Sequence, residues 1–117
     1  MQPPQVPLLI AVLCDPAGQP MWVLSIDRAE RRIASRPATP QTARLPAAQS
    51  SELWLIVGAT APRSLGLIDP RGRGRLALSG AVNVQDAVLA VSQERPGGSP
   101  TGMPTGPILA TGRILRL

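Results

Sequence analysis

Short apolar runs separated by turn residues dominate the chain, and their period is that of extended strands rather than helices. Leu8 to Cys14 is an apolar run closed by Asp15-Pro16-Ala17-Gly18-Gln19-Pro20, a loop with proline and glycine where a hairpin turn needs them. Met21 to Asp27 alternates, with Trp22, Leu24 and Ile26 on one face and Val23, Ser25 and Asp27 on the other. Arg28 to Ser35 is compatible with a turn or a short helical turn leading into a third strand around Ile33. Arg36 to Ser51, with Pro37, Pro40 and Pro46, predicts a long connection.

Glu52 to Gly58 is almost continuously apolar, which predicts a central strand buried on both faces. Ala59 to Ser64 then turns the chain. Leu65 to Asp69 and Arg75 to Ser79 flank Pro70-Arg71-Gly72-Arg73-Gly74, which together predict a hairpin with a glycine-rich tip. Ala87 to Gln93 alternates again, and Ile108 to Leu117 supplies a last strand with Gly112 as a candidate bulge. The expected fold is all-β: one domain over residues 1–117, an antiparallel β-sandwich or open barrel of about seven or eight short strands.

Composition sharpens this picture. Fourteen prolines and eleven glycines exclude a helical bundle. The chain has two Trp, no Phe and no Tyr, so its core must come from branched aliphatic side chains. The net charge of +5 comes from twelve basic residues, all of them arginine. Such a balance invites a nucleic-acid reading. The arginines are nevertheless scattered, with small clusters at Arg28/Arg31/Arg32 and Arg71/Arg73/Arg75, and no aromatic platform exists for stacking bases. A solvated surface is the expectation, with no nucleic-acid partner.

Catalytic equipment is sparse. Histidine is absent, which removes the usual general base and the commonest metal ligand. The seven carboxylates stand singly, without metal-ligand spacing, so neither metal nor cofactor is expected. Asp15 and Asp69 each precede a proline, the position from which a carboxylate caps turn N–H groups. Cys14 ends an apolar run and reads as a small buried hydrophobe. Gly72-Arg73-Gly74 is a loose match to a phosphate loop with no helix after it, and reads as the hairpin tip. No enzyme is expected. No stretch approaches the roughly 20 apolar residues of a membrane span, and the Met1-Gln2-Pro3-Pro4 start reads as that of an excised domain.

The tract from Glu94 to Pro107 (Glu-Arg-Pro-Gly-Gly-Ser-Pro-Thr-Gly-Met-Pro-Thr-Gly-Pro) restricts the backbone at its prolines and frees it at its glycines. It predicts an ordered loop of successive turns, with Glu94 at its mouth placed to accept loop N–H groups.

This tract resembles the C-terminal signature of the anti-sigma-K factor (RskA-type) family. Two further segments match in the same order: Glu52-Leu53-Trp54-Leu55-Ile56, and Pro62-Arg63-Ser64-Leu65-Gly66-Leu67. The opening Ile10 to Leu13, with Asp15 and Gly18 to Trp22, is also similar. Arg95-Pro96 departs from the family's more usual Pro-Ala, while Gly97-Gly98-Ser99-Pro100 is intact. The signature residues are Trp54, Ser64, Leu65, Gly66, Glu94, Gly97, Gly98, Ser99, Pro100, Thr101, Gly102, Pro104, Thr105, Gly106 and Pro107.

The resemblance implies the periplasmic sensory or gating domain of a membrane-anchored anti-sigma factor, on the extracytoplasmic side of a bacterial inner membrane. Residues 1–7 would then be a juxtamembrane segment. A sigma factor would be bound through an N-terminal domain outside these residues, and regulated proteolysis by a periplasmic protease would release it. Two other readings stand beside this one: an Ig-like extracellular binding or adhesion module, and an enzyme using Glu94 as acid/base.

Overall fold

The computed structural model describes residues 8–46, 48–78 and 86–116. The strands in chain order are β1 (Leu9–Cys14), β2 (Pro20–Asp27), β3 (Arg32–Pro37), β4 (Ser50–Val57), β5 (Arg63–Ile68), β6 (Gly74–Ala77), β7 (Ala87–Glu94), β8 (Ile108–Arg113) and β9 (Leu115–Arg116). All pairings are antiparallel, in the order β5-β4-β7-β8-β1-β2-β3-β6, with β9 also on β1. The sheet curls so that its two end strands approach one another: a Cβ built on Gly66 of β5 would lie 3.1 Å from Leu76 of β6. The result is a nearly closed barrel, in line with the all-β expectation.

Alternation decides what fills it. Leu9, Ala11 and Leu13 from β1 meet Trp22, Leu24 and Ile26 from β2, and Leu53, Leu55, Leu89 and Val91 from β4 and β7, in one buried cluster. The β1–β2 turn is capped as its sequence foretold: Asp15 Oδ1 accepts the N–H groups of Ala17 and Gln19 at 3.0 and 2.9 Å. Asp69 Oδ1 likewise accepts the Arg71 N–H at 2.8 Å. The ambiguous stretch after β2 is a turn, with Asp27 Oδ1 accepting the Glu30 N–H at 3.0 Å, and β3 follows. In β4, Ser51 through Leu55 are all buried, as expected of a strand between two others.

Three expectations are corrected. Leu65 to Asp69 and Arg75 to Ser79 do not form a hairpin: β5 pairs with β4, β6 pairs with β3, and the two lie at opposite ends of the strand order. Ser79 itself lies outside the described residues, as do residues 1–7 and Leu117. The intervening loop is held elsewhere, with Arg71 Nη2 donating to the Leu45 carbonyl at 2.7 Å. Local sequence cannot reveal that β3 and β4 each had an edge to fill.

The second correction concerns the connection from Arg36, which is shorter than expected. Strand β3 runs on to Pro37 and β4 starts at Ser50, with the 3-10 turn Thr42–Arg44 between them, tied down by Thr42 Oγ1 donating to the Met21 carbonyl at 2.6 Å. Third, Gly112 is not a bulge. The β7–β8 irregularity falls at Leu109, between the pairs Val91↔Ala110 and Ser92↔Ile108, and the last strand divides at Ile114 into β8 and β9. Gly112 serves close approach instead: a Cβ there would lie 2.2 Å from the Val12 carbonyl oxygen of β1.

Candidate functional site

The outward faces of β4 and β7 are unusual for a solvated sheet surface. In the β4–β7 register Ser50 stands opposite Glu94, Glu52 opposite Ser92 and Trp54 opposite Ala90. By strand alternation these six share one face, opposite the Leu53, Leu55, Leu89 and Val91 side chains of the interior. Trp54 and Ala90 are buried yet lie outside the interior cluster, and Glu52, Ser92 and Glu94 are buried too. Burial on an outward face requires a cover.

The strap from Arg95 to Pro107 is fastened to this face by two carboxylates. Glu94 accepts hydrogen bonds from the N–H groups of Thr105 (3.1 Å) and Gly106 (3.2 Å), from Ser92 Oγ (2.5 Å) and from Thr105 Oγ1. Burial alone would raise the Glu94 pKa, but the hydrogen bonds from Ser92, Thr105 and Gly106 outweigh it and hold the carboxyl below its ordinary value. Ser92 Oγ in turn accepts the indole N–H of Trp54 at 2.8 Å. Indole, hydroxyl, carboxylate and loop backbone therefore form one continuous chain.

Glu52 fastens the other end. Its Oε1 accepts the Ser99 N–H at 2.6 Å and its Oε2 accepts Ser64 Oγ–H at 2.5 Å, while Ser50 Oγ accepts the Gly97 N–H at 3.0 Å. Gly98 passes so close that a Cβ would lie 3.0 Å from Glu52 Oε1 and 3.3 Å from Leu67 Cδ2, with φ at +104°. Gly106 is tighter still, since a Cβ would sit 1.7 Å from the Gln93 carbonyl oxygen. The Gln93 N–H donates to the Pro107 carbonyl at 2.9 Å, so the strap ends in a backbone bond to the strand it left.

Of the signature residues, Trp54, Ser64, Glu94, Gly98, Ser99, Thr105 and Gly106 meet in this network, and Gly97 and Pro107 fasten its ends. Leu65 faces the interior cluster instead, and Gly66 sits at the β4–β5 irregularity with φ at +120°. Thr101 belongs to a small turn in which Ser99 Oγ donates to the Met103 carbonyl and Thr101 Oγ1 accepts the Met103 N–H at 3.3 Å. Pro100 and Gly102 are exposed and Pro104 half-buried on the outer side of the strap.

Glu52, Ser50 and Ser92 were missed as organisers of the site. Their signal was present: Ser50, Glu52 and Trp54 recur at period two, as do Ala90, Ser92 and Glu94, placing a polar row on one face of each strand. The chemistry this arrangement supports is clamping, with each carboxylate engaged by donors from the strap. Among the described residues no group of three or more His, Cys, Asp or Glu is placed to hold a metal ion.

Fold and site together define a small open-barrel domain with a carboxylate-clamped strap across one outer face. The family model described as "Anti-sigma-K factor rskA, C-terminal" matches residues 1–108, and the chain belongs to this family: it is an anti-sigma factor C-terminal domain. The matched span includes all the signature residues and ends where the strap passes into β8. No curated protein and no solved structure gave a match.

Proposed function

We propose that this domain is the periplasmic gate of a membrane-anchored anti-sigma factor, restraining an extracytoplasmic-function sigma factor until proteolysis of the parent protein releases it. The family match over residues 1–108 carries the reading. In it, a sigma factor is a partner of the parent protein through a separate N-terminal domain, and a periplasmic protease or signalling molecule acts on this one. The clamped strap supplies a physical means of gating. A segment held by side-chain carboxylates over an otherwise independent barrel can open locally at a free energy below that of global unfolding. Opening would expose the Trp54 face and the chain ends of the strap to a protease or partner.

The test uses the full-length parent gene and a reporter driven by the cognate sigma factor. Replacing both Glu52 and Glu94 by Gln should raise cleavage of the parent protein and reporter output severalfold, while the sigma-binding affinity of the N-terminal part stays unchanged. A parent gene encoding no membrane helix and no sigma-binding segment would overturn the proposal. So would a reporter indifferent to deletion of the gene.

A further inference from the structure

The strap covers one outer face of the barrel; a different outer face, formed by β1, β2, β3 and β6, carries a groove of about 590 Å³. Its floor can be read from the ladders. Ile10, Ser25, Ala34 and Arg75 form one cross-strand row through the pairs Ile10↔Ser25, Ser25↔Ala34 and Ala34↔Arg75. The next row runs Val12, Val23, Arg36, and reaches Arg73 one step beyond the Ser35↔Gly74 pair. The first row passes from Ile10 through Ser25 and Ala34 to Arg75, and the second from Val12 and Val23 to Arg36 and Arg73, so each grades from an aliphatic side chain on β1 to a guanidinium on or just before β6. Three strand spacings make that gradient roughly 14 Å long.

The cationic end outweighs the acids near it. Arg36, Arg73 and Arg75 line the groove and are exposed, and among the described residues no carboxylate lines it with them; Asp27 and Glu30 stand beside Arg75 only in the adjoining hollow, with Arg32. Among the described residues none of the three is joined to an acid: the ion pair formed nearby is Arg32 with Glu30, at 3.8 Å. Like charges set side by side on neighbouring strands are mutually destabilising. Guanidinium groups bind carboxylate and phosphate oxygens by paired N–H donors, so an oxyanion is the occupant that relieves this repulsion. The volume lies in the range of small-molecule sites rather than of extended protein interfaces.

We propose that this groove binds a single-chain amphiphile as a monomer, its carboxylate or phosphate head held by Arg36, Arg73 and Arg75 and its alkyl chain lying across Ala34, Val23 and Ile10. The two halves of the site select jointly. An inorganic anion would use the arginines but not the floor, and a cationic or neutral amphiphile would use the floor against the repulsion of the arginines. The inference is independent of the gating role, since it involves none of the strap residues.

The experiment is a calorimetric titration of the 117-residue chain, with decyl phosphate and decanoate below their micelle concentrations, beside methyl-group NMR shift mapping. Decyl phosphate and decanoate should bind with shifts at Ile10, Val23 and Ala34. Inorganic phosphate and decyltrimethylammonium should bind at least tenfold more weakly. The Arg36→Gln/Arg75→Gln variant should lose at least tenfold in affinity for both anionic amphiphiles. Equal affinity for inorganic phosphate, equal affinity for the cationic amphiphile, shifts that map elsewhere, or association only with anionic phospholipid vesicles would each overturn the proposal. The wild-type shift map decides the matter even where the double variant folds poorly.

Discussion

Replacing Glu94 by Gln keeps the size of the side chain and removes its charge, and its cost can be worked from the hydrogen bonds. One carboxylate oxygen receives Ser92 Oγ–H and the N–H groups of Thr105 and Gly106; the other receives the Thr105 hydroxyl. A glutamine can place its carbonyl at the first position and its amide at the second, where the Thr105 hydroxyl can turn and accept. No donor need be orphaned, but all four charge-assisted bonds become neutral ones, the last with its direction reversed. Hydrogen bonds to charged groups contribute about 1.5–3 kcal/mol and neutral ones about 0.5–1.5, so each loses about 1 kcal/mol. Thr105 is exposed, and water will recover part of this. The expected destabilisation is about 2 kcal/mol, a substantial share of the roughly 5–15 kcal/mol that holds a domain together. Urea unfolding followed by tryptophan fluorescence measures it directly, and the thermal midpoint should fall by roughly 8 °C. A Glu94→Gln protein within about 0.5 kcal/mol of wild type, the ordinary range of surface substitutions, would refute the clamp.

The remaining expectations address the same site by other means. Because the Glu94 pKa is held below its ordinary value, its contribution is complete above the unfolded carboxylate pKa of about 4.3 and disappears as pH falls through the lower folded value. Wild-type stability should therefore drop below about pH 4 more steeply than that of Glu94→Gln, and parallel acid profiles in the two proteins would contradict this. Gly106→Ala must displace the strap from the Gln93 carbonyl and should cost about 3 kcal/mol or more in chemical denaturation. Gly102→Ala, at φ +79° with open space around it, should cost only about 1 kcal/mol of backbone strain; equal effects at the two glycines would count against the described packing. Glu52→Gln removes the charge assistance from the bond that fastens the strap at Ser99, so limited proteolysis should cut between residues 96 and 104 severalfold faster while the barrel fragment survives. Unchanged cleavage would mean that Glu52 does not fasten the strap.

Much of the fold was legible because strand formation here is a local matter. Alternation in Met21 to Asp27, the unbroken apolarity after Glu52 and the aspartates ahead of Pro16 and Pro70 each depend on nearest neighbours along the chain. The partnership of strands is not local. Leu65 to Asp69 and Arg75 to Ser79 look like two arms of a hairpin, yet β5 and β6 are end strands of the sheet because β4 and β3 present open edges to them. The break at Ile114 was hidden for the same reason: it reflects how the final segment tracks β1, with Leu9↔Arg116 and Cys14↔Thr111 as its pairs.

The candidate site divides along the same line. From the residues alone follow an all-β chain without histidine and a strap from Glu94 whose prolines and glycines order it. The strap's glutamate is also already placed at its mouth. Tertiary structure alone decided that Glu52 is its counterpart, that Ser64 and Ser99 meet on that one carboxylate, and that Trp54 is buried on the outside of the barrel rather than within it. A sequence records which side chains alternate. Which of the two faces is covered depends on where a segment some 40 residues away is fastened, as in the 47-residue separation of Glu52 and Ser99.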